Sequence, residues 1–417
     1  MSRRLPAIVV FLFIIGLIAM PGAAQEATGP AQVGERWDAP TYGLHGPFWV
    51  GYRDFTANPD SDNPLRVMVW YPALNPEGLP EDTTYTAALK YPAWLPTDPV
   101  EWPGAALADA PPDMSGAPYP VVVFSHGYGN NPAGYAYFAE HLASQGFVVV
   151  APDHHESEMG DGHSFVVSTF TRPLEVTQAL DFAETLTAEG GDLAGLLDMD
   201  HVGIAGHSYG GYTALASGGA QIDYLPFLEE CKTAAEGSSL AAMCNPAFDT
   251  FKDEVPAIVG LSEMPEELWP SLADPRIDAA VAMAGDAYVF TDEGMASLNL
   301  PLLAMGGTLD WATPFDVGAE MAYDHASSAE KALVALEGAY HALFMGNCPS
   351  EGSIFMDNGW QWACSEGIWA RDRGHDLANH FATAFLRAEL MGDEEARAAL
   401  APDAVAFDGV TYSAQGF

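Results

Sequence analysis

The sequence HVGIAGHSYGGYTALA, residues 201–216, organises the rest of this chain. It predicts a short apolar strand, a turn of small residues around Ser208, and then a helix. The turn has the form Gly-x-Ser-x-Gly, in which a strained strand-to-helix turn presents a serine hydroxyl above a sheet. Gly206 and Gly210 fit this role because Cβ atoms there would collide where the strand and helix backbones approach each other. The motif is weak by itself, so its surroundings must support it.

The first 24 residues read as a secretory signal peptide. Arg3 and Arg4 give a positive start, residues 5–20 form an almost unbroken apolar run, and small residues precede a cleavage site near Ala24. The apolar run is slightly short for a membrane span, which needs about 20 residues. We therefore expect a secreted or periplasmic protein with no stable membrane insertion after cleavage.

Length and charge limit the remaining classes of function. The 417-residue chain is 49 % hydrophobic and carries a formal net charge of −42. So acidic a surface repels nucleic acid and anionic lipid headgroups, which disfavours a nucleic-acid partner. We expect a loosely ordered N-terminus at 25–44, one large domain at 45–392 and an acidic C-terminal tail at 393–417. Oligomeric state does not follow from the sequence.

Four cysteines follow the predicted signal peptide, and they form two local pairs. Export to an oxidising compartment favours disulfides. Four cysteines allow three pairings, which sequence alone does not distinguish. We expect Cys231–Cys244 and Cys348–Cys364, each closing a short loop. A zinc site is the alternative, but no Cys-x-x-Cys spacing supports it.

Buried strands alternate with helices from residue 119 onwards. Continuous apolar runs are typical of parallel strands that are covered on both faces, and the alternation predicts a doubly wound, mostly parallel α/β sheet. Two antiparallel strands are expected first, at 47–54 and 65–72. The later strands are expected at 120–127, 147–153, from 201, 277–285, 300–306 and 332–336, and the helices at 132–145, 172–189, 314–326 and 375–391.

Residues 219–275 interrupt this alternation. They contain several helix-like pieces between the helix after Ser208 and the strand at 277. An insertion at this point would lie over the carboxyl ends of the strands, where ligands bind in such sheets. We therefore interpret 219–275 as a cap-like insertion. A second irregular segment, 345–370, is rich in Trp.

A base and an acid follow Ser208 in the chain. A serine hydroxyl is a poor nucleophile unless a histidine accepts its proton and an acid orients that histidine. Hydrolases with this turn carry the three residues in the order Ser, acid, His. His341 follows the last buried strand and Asp310 the strand before it, so we predict a triad of Ser208, His341 and Asp310. Asp286, which also follows a strand, is the alternative acid.

Two backbone amides are predicted to form an oxyanion hole. One belongs to Tyr209, the residue after the serine, and the other to Tyr128 in the glycine-rich loop after the strand at 120–127. The side chains of both tyrosines are expected to line an acyl pocket. A plain glycine turn is the alternative reading of that loop.

Other histidines invite different readings. His154, His155, Glu156, Asp161 and His163 cluster in sequence, but their spacing is irregular and polar loops are usually solvated, so we predict no metal and no cofactor. The histidine at 207 is expected to pack beside the serine without acting as its base.

Several segments resemble a known family. The sequence is similar to bacterial α/β-hydrolases described as predicted dienelactone hydrolases, which are related to platelet-activating-factor acetylhydrolases and cutinase-like polyester hydrolases. The resemblance implies an α/β-hydrolase fold and ester hydrolysis. Dienelactone hydrolases use a cysteine nucleophile, whereas this chain has Ser208, so that activity is not expected. The matching segments are 67–72, 124–127, 206–211, 274–277 and 338–341.

Together these features predict a secreted serine carboxylic-ester hydrolase that acts on short-acyl esters through an acyl-enzyme. Hydrolysis of phospholipid acetyl esters or of polyesters is the alternative within enzymes. A non-catalytic binding module on the same fold is the alternative from another class.

Overall fold

The computed structural model describes residues 29–88, 99–156, 161–347, 364 and 366–417. The predicted signal peptide at 1–24 and Cys348 lie outside the described residues. The part of the chain that the structure describes contains no helix long and apolar enough to cross a membrane.

Ten strands form one large sheet, in the order β12-β11-β10-β9-β8-β6-β7-β2-β1-β5, and β3 pairs with β4 separately. The neighbours from β7 to β11 run parallel, whereas β2 joins β7 and β12 joins β11 in antiparallel orientation. The prediction of a mostly parallel α/β sheet is therefore confirmed. The strands are β1 (Trp49–Ala57), β2 (Leu65–Ala73), β3 (Thr83–Ala87), β4 (Val100–Gly104), β5 (Leu107–Ala108), β6 (Tyr119–Ser125), β7 (Val148–Pro152), β8 (Leu197–His207), β9 (Ile277–Met283), β10 (Leu302–Gly307), β11 (Lys331–Leu336) and β12 (Val410–Gln415).

Helices cover both faces of the sheet, which gives two apolar cores. Helices α2, α3 and α9 pack on one face, and α1 and α10 pack on the other. Every residue of β6 and of β7 is buried, as continuous apolar runs predict for strands between two helical layers. The helices are α1 (Ala136–Ser144), α2 (Gly162–Thr187), α3 (Tyr209–Gly218), α4 (Tyr224–Thr233), α5 (Ser239–Met243), α6 (Ala247–Phe251), α7 (Val255–Ile258), α8 (Thr291–Met295), α9 (Ala319–His325), α10 (Arg371–Met391) and α11 (Glu394–Ala399).

The described residues of the two terminal segments, 29–44 and 393–417, pack on the domain between them. The expected acidic tail at 393–417 contains α11 and the edge strand β12, whose residues alternate between half-buried and exposed. Acidic composition alone predicts neither of these elements, whereas the alternation in β12 is a period-two pattern. Within the predicted segment 25–44, the described residues are anchored at Glu35 and Arg36, whose backbone amides donate to the Asp376 carboxylate at 2.8 and 2.9 Å.

The insertion at 219–275 contains the four short helices α4 to α7. It packs against α2, where the rings of Trp269 and Phe170 contact each other at a tilt with centroids 4.6 Å apart. The predicted Cys231–Cys244 disulfide is present and joins the end of α4 to the residue after α5. The second predicted bridge involves Cys348, which lies outside the described residues.

Removal of the Cys231–Cys244 disulfide should lower the free energy of unfolding. Closing a loop with a sequence separation of 13 restricts the unfolded chain, which is worth about 3 kcal/mol in the chain-entropy model. The double variant Cys231→Ser/Cys244→Ser leaves the other cysteines untouched. Its urea unfolding midpoint should fall relative to the wild type, and an unchanged midpoint at an unchanged m-value would contradict the stabilising role.

Candidate active site

A strained turn places Ser208 between β8 and α3. The residue has φ 58° and ψ −124°, a conformation that L-amino acids rarely adopt outside functional turns. The turn is possible because residues 206 and 210 are glycines and have no Cβ atom. A Cβ atom on Gly206 would overlap the carbonyl of Gly210, and one on Gly210 would overlap the carbonyl oxygen of Ser125. The sequence therefore needs glycine on both sides of the serine.

The structure brings Ser208, His341 and Asp310 together in one hydrogen-bonded chain. Nε2 of His341 lies 2.8 Å from Oγ of Ser208, and Nδ1 lies 2.7 Å from Oδ2 of Asp310. Asp310 follows β10, and His341 opens the short 3₁₀ helix His341–Phe344 after β11. Because β8, β10 and β11 are parallel, their carboxyl ends meet at one edge of the sheet.

The backbone after β10 fixes the Asp310 carboxylate. Its Oδ1 accepts hydrogen bonds from the amides of Ala312 and Thr313, both at 2.8 Å, which leaves Oδ2 for His341. One oxygen of Asp310 therefore caps the backbone that follows, as an aspartate after a strand commonly does. The other oxygen contacts His341.

Electrostatics favours the protonated form of His341. Burial lowers its pKa, but the negative charge of Asp310 and the hydrogen bond to it outweigh burial, and the pKa is raised overall. Asp286 adds to this effect through its charge. A general base with these neighbours loses its function as pH falls through the raised pKa.

Asp286, the alternative acid, lies in the loop after β9. Its carboxylate accepts a hydrogen bond from the hydroxyl of Thr313 at 3.3 Å. Within the described ranges it makes no hydrogen bond to His341. Burial raises the pKa of Asp286 to about 7. The structure therefore gives the two aspartates different environments, and the one at 310 contacts the imidazole.

The glycine-rich loop after β6 lies against the serine. A Cβ atom on Gly127 would lie 3.4 Å from Cβ of Ser208, and the rings of Tyr128 and Tyr209 meet edge to face with centroids 5.7 Å apart. In the part of the chain that the structure describes, the backbone amides of Tyr128 and Tyr209 have no acceptor. Amides at a helix start are commonly left for a ligand.

His207 links this loop to His341. Its Nδ1 accepts from the hydroxyl of Tyr135 at 2.9 Å, and its Nε2 donates to the carbonyl of His341 at 3.1 Å. The Tyr135 hydroxyl in turn accepts from the amide of Gly127 at 3.2 Å. Burial lowers the pKa of His207 well below its ordinary value, so the ring is neutral. It packs beside the serine as expected, and sequence reasoning did not identify Tyr135.

An aromatic cluster adjoins the serine on the side of the insertion. Phe165 lies 4.6 Å from Tyr209, 5.1 Å from Tyr128 and 5.9 Å from Phe248, measured between ring centroids. Sequence reasoning proposed only the two tyrosines. Phe165 lies in the first turn of α2 and Phe248 lies in the insertion, and no motif marks either of them.

Exposed apolar side chains lie next to Asp310 and His341 in the two loops that carry them. Leu309 and Trp311 flank the acid and are 56 % and 57 % exposed, whereas Tyr340 precedes the histidine and is 36 % exposed. Ile368, 79 % exposed, packs against Gly338 in the same loop as Tyr340. We call these four residues the apolar rim.

The histidine and acid cluster at 154–163 is divided among separate contacts. His154 and His155 bind the two oxygens of Glu175 at 2.7 and 2.8 Å. Asp161 caps α2, whose start at Gly162 lies ten residues before the predicted one. Among the described residues no group of three acids, histidines or cysteines is arranged to hold a metal ion.

The parallel sheet, the turn at Ser208 and the order of the three side chains define an α/β-hydrolase fold. Residues 95–228, about a third of the chain, match the family model of chlorophyllase, a family of ester hydrolases within this superfamily. This similarity supports a hydrolase acting on esters. The matched part includes Tyr128, Ser208 and Tyr209 and ends before the acid and the histidine.

Substitution of the two aspartates should separate their roles. Asp310→Asn should lower kcat about 10⁴-fold, because the histidine loses the group that fixes its tautomer. Asp286→Asn should leave the plateau kcat nearly unchanged and move the acid limb of kcat/KM to lower pH, because it removes a charge that raises the pKa of His341. The measurement is hydrolysis of p-nitrophenyl acetate from pH 5 to 9. A large loss of kcat in Asp286→Asn alone would reverse the assignment.

Proposed function

We propose that this protein is a secreted serine carboxylic-ester hydrolase. The observation that carries the proposal is the hydrogen-bonded chain from Ser208 through His341 to Asp310, which faces a loop whose Tyr128 amide has no acceptor among the described residues. The similarity of residues 95–228 to chlorophyllase supports ester hydrolysis. The disulfide at 231–244 is compatible with an exported protein.

Ser208 is the nucleophile in this mechanism. Its Oγ attacks the ester carbonyl while Nε2 of His341 takes the hydroxyl proton, and Asp310 stabilises the imidazolium. The amides of Tyr128 and Tyr209 donate to the oxyanion of the tetrahedral intermediate. The intermediate then collapses, and the alcohol leaves with the proton from His341. Water attacks the acyl-enzyme in the same way and releases the acid.

The surroundings of the serine support a short acyl group and an apolar alcohol. The aromatic cluster of Tyr128, Phe165, Tyr209 and Phe248 limits the space on the side of the insertion. The apolar rim offers an open surface next to the base, where the leaving alcohol receives its proton. A net charge of −42 disfavours anionic substrates. The same open rim favours, as second candidate, hydrolysis at the surface of an apolar polyester.

Replacement of the nucleophile should abolish activity. Ser208→Ala should show no measurable hydrolysis of p-nitrophenyl acetate or butyrate, and it should no longer react with a fluorophosphonate probe. Ser217→Ala is the matched control, since it removes another buried hydroxyl from the same helix and should keep full activity. Retained hydrolysis in purified Ser208→Ala would contradict the mechanism, and a wild type that neither hydrolyses esters nor reacts with the probe would favour a binding module.

Substitution in the apolar rim should change the preference for the alcohol. In an acetate series from methyl to dodecyl, Leu309→Ser/Ile368→Ser should raise KM about 30-fold for the longest esters, because each of the two lost apolar contacts weakens binding by about 1 kcal/mol. The methyl ester should be unaffected. Leu74→Ser is the control, because this exposed leucine follows β2 at the opposite edge of the sheet. An equal change for short and long alcohols would refute the rim as the alcohol site.

A further inference from the structure

Several charged and polar side chains lie buried beneath the loop after β6, and the mechanism above uses none of them. Arg172 and the side chain of Glu156 have no exposed surface, and Ser125, His154 and Glu175 are also buried. Burying ions costs free energy even when they are paired, so such a group is a poor way to gain stability alone. Its position next to the candidate oxyanion hole suggests a different role.

Arg172 and Glu156 hold the loop on both sides of Tyr128. One guanidinium nitrogen of Arg172 donates to the backbone carbonyl of His126 at 2.6 Å, and its Nε donates to Oε1 of Glu156 at 2.6 Å. The other oxygen of Glu156 accepts from the amide of Gly129 at 2.8 Å. The ion pair therefore fixes the carbonyl two residues before Tyr128 and the amide one residue after it.

Other hydrogen bonds of this loop lie on the N-terminal side of Tyr128, where the Gly127 amide donates to the Tyr135 hydroxyl at 3.2 Å and Nδ1 of His126 lies 2.8 Å from the Gly127 carbonyl oxygen. Gly127 and Gly129 flank Tyr128, and Gly129 has φ 72°, so the intervening peptide groups could rotate at little steric cost. Within the loop, one backbone hydrogen bond joins the amide of Asn130 to the carbonyl of Gly127 at 3.1 Å. The direction of the Tyr128 amide therefore depends on groups outside the loop.

Arg172 also contacts the second donor of the oxyanion hole. Its guanidinium carbon lies 5.2 Å from the ring centroid of Tyr209, within the range of a cation–π contact. Arg172, on α2, thus contacts Tyr209 itself and the loop that carries Tyr128.

A second buried network fixes the start of the same loop. Oγ of Ser125 lies 2.9 Å from Nε2 of His154, and Nδ1 of that ring lies 2.7 Å from Glu175. The contacts follow the pattern of a serine, a histidine and an acid, but Ser125 and His154 are fully buried and no substrate reaches them. These residues therefore anchor the end of β6, where the loop begins.

We propose that Arg172 and Glu156 are positioning residues that orient the Tyr128 amide toward the oxyanion. This inference rests on the proposed ester hydrolysis and adds two residues that the triad motif does not include. The pair acts through the backbone of the loop and touches no substrate. Preorganised donors of this kind matter in the transition state and little in the ground state.

Two conservative variants test the proposal. In Arg172→Lys one ammonium replaces a planar fork and cannot reach both the His126 carbonyl and Glu156 in the same way. Glu156→Gln keeps the shape but offers one acceptor to two donors. Each should lower kcat for p-nitrophenyl acetate about 10²-fold, close to the effect of losing one oxyanion donor, with KM nearly unchanged. Circular dichroism and the unfolding midpoint establish that the variants fold.

A thionoester distinguishes orientation of the amide from general damage. Sulfur accepts hydrogen bonds more weakly than oxygen, so an enzyme with a misplaced donor should lose much less activity toward the thionoester than toward the ester. Arg276→Lys is the control. It alters an arginine paired with Asp274 and Glu184 before β9, at the edge of the sheet opposite Ser208, and should change neither rate.

Unchanged kcat in either folded variant, or equal losses for ester and thionoester, would overturn the proposal. If Arg172→Lys does not fold, Glu156→Gln decides the question alone. Failure of the proposed function is recognised separately, because then the wild type is inert toward esters or Ser208→Ala remains active. Wild-type hydrolysis that depends on Ser208, together with full activity in Glu156→Gln, rejects the positioning role and leaves the ester hydrolase in place.

Discussion

The close approach of α3 to β6 is the constraint on which the site depends. Only glycine at 206 and 210 allows the helix backbone to pass so near the Ser125 carbonyl. The chain must then turn within one residue, and Ser208 takes the strained conformation at a cost of about 1–3 kcal/mol. Hydrogen bonds on both sides of the turn hold it, since the Ser208 amide donates to the Met283 carbonyl at 2.9 Å and its own carbonyl accepts from α3. One anchor is thus the last residue of β9, the strand next to β8, and the other is the first turn of α3.

The polar groups near the serine differ sharply in their environments. Asp310 has its two oxygens committed to different donors, whereas Asp286 is buried with one hydroxyl and has a pKa of about 7. His207 is kept neutral by burial, yet the histidine at 341, equally enclosed, has a raised pKa because an acid lies against it. Two aspartates and two histidines in one site thus have different environments because their hydrogen-bond partners differ. A sequence does not show which residues become those partners.

Local patterns predicted the sheet well and its periphery poorly. The strands from 120 to 336 are continuous apolar runs, and the serine, acid and histidine follow strands in the expected order, so local pattern and topology place them at one edge. The sequence analysis missed β12, where polar residues masked the alternation, and it started α2 too late because Pro173 inside the helix resembles a helix start. Phe165 and Arg172 matter through contacts distant in sequence, which no local pattern encodes.

The insertion at 219–275 and the sheet contribute different residues to the candidate site. The insertion contributes Phe248, which packs against Phe165 in the aromatic cluster. The serine, histidine and aspartate of the hydrogen-bonded chain lie on loops of the sheet. The disulfide of the insertion and its packing on α2 stabilise it, and it also packs on loops of the sheet. The ring of Phe227 lies 5.6 Å from that of Tyr288 in the loop after β9, and α5 lies against residues 315–317 in the loop after β10. The insertion therefore supports the loops that carry Asp286 and Asp310 and also contributes to the aromatic cluster. A change in its length would disturb these loops together with the aromatic side chains beside the serine.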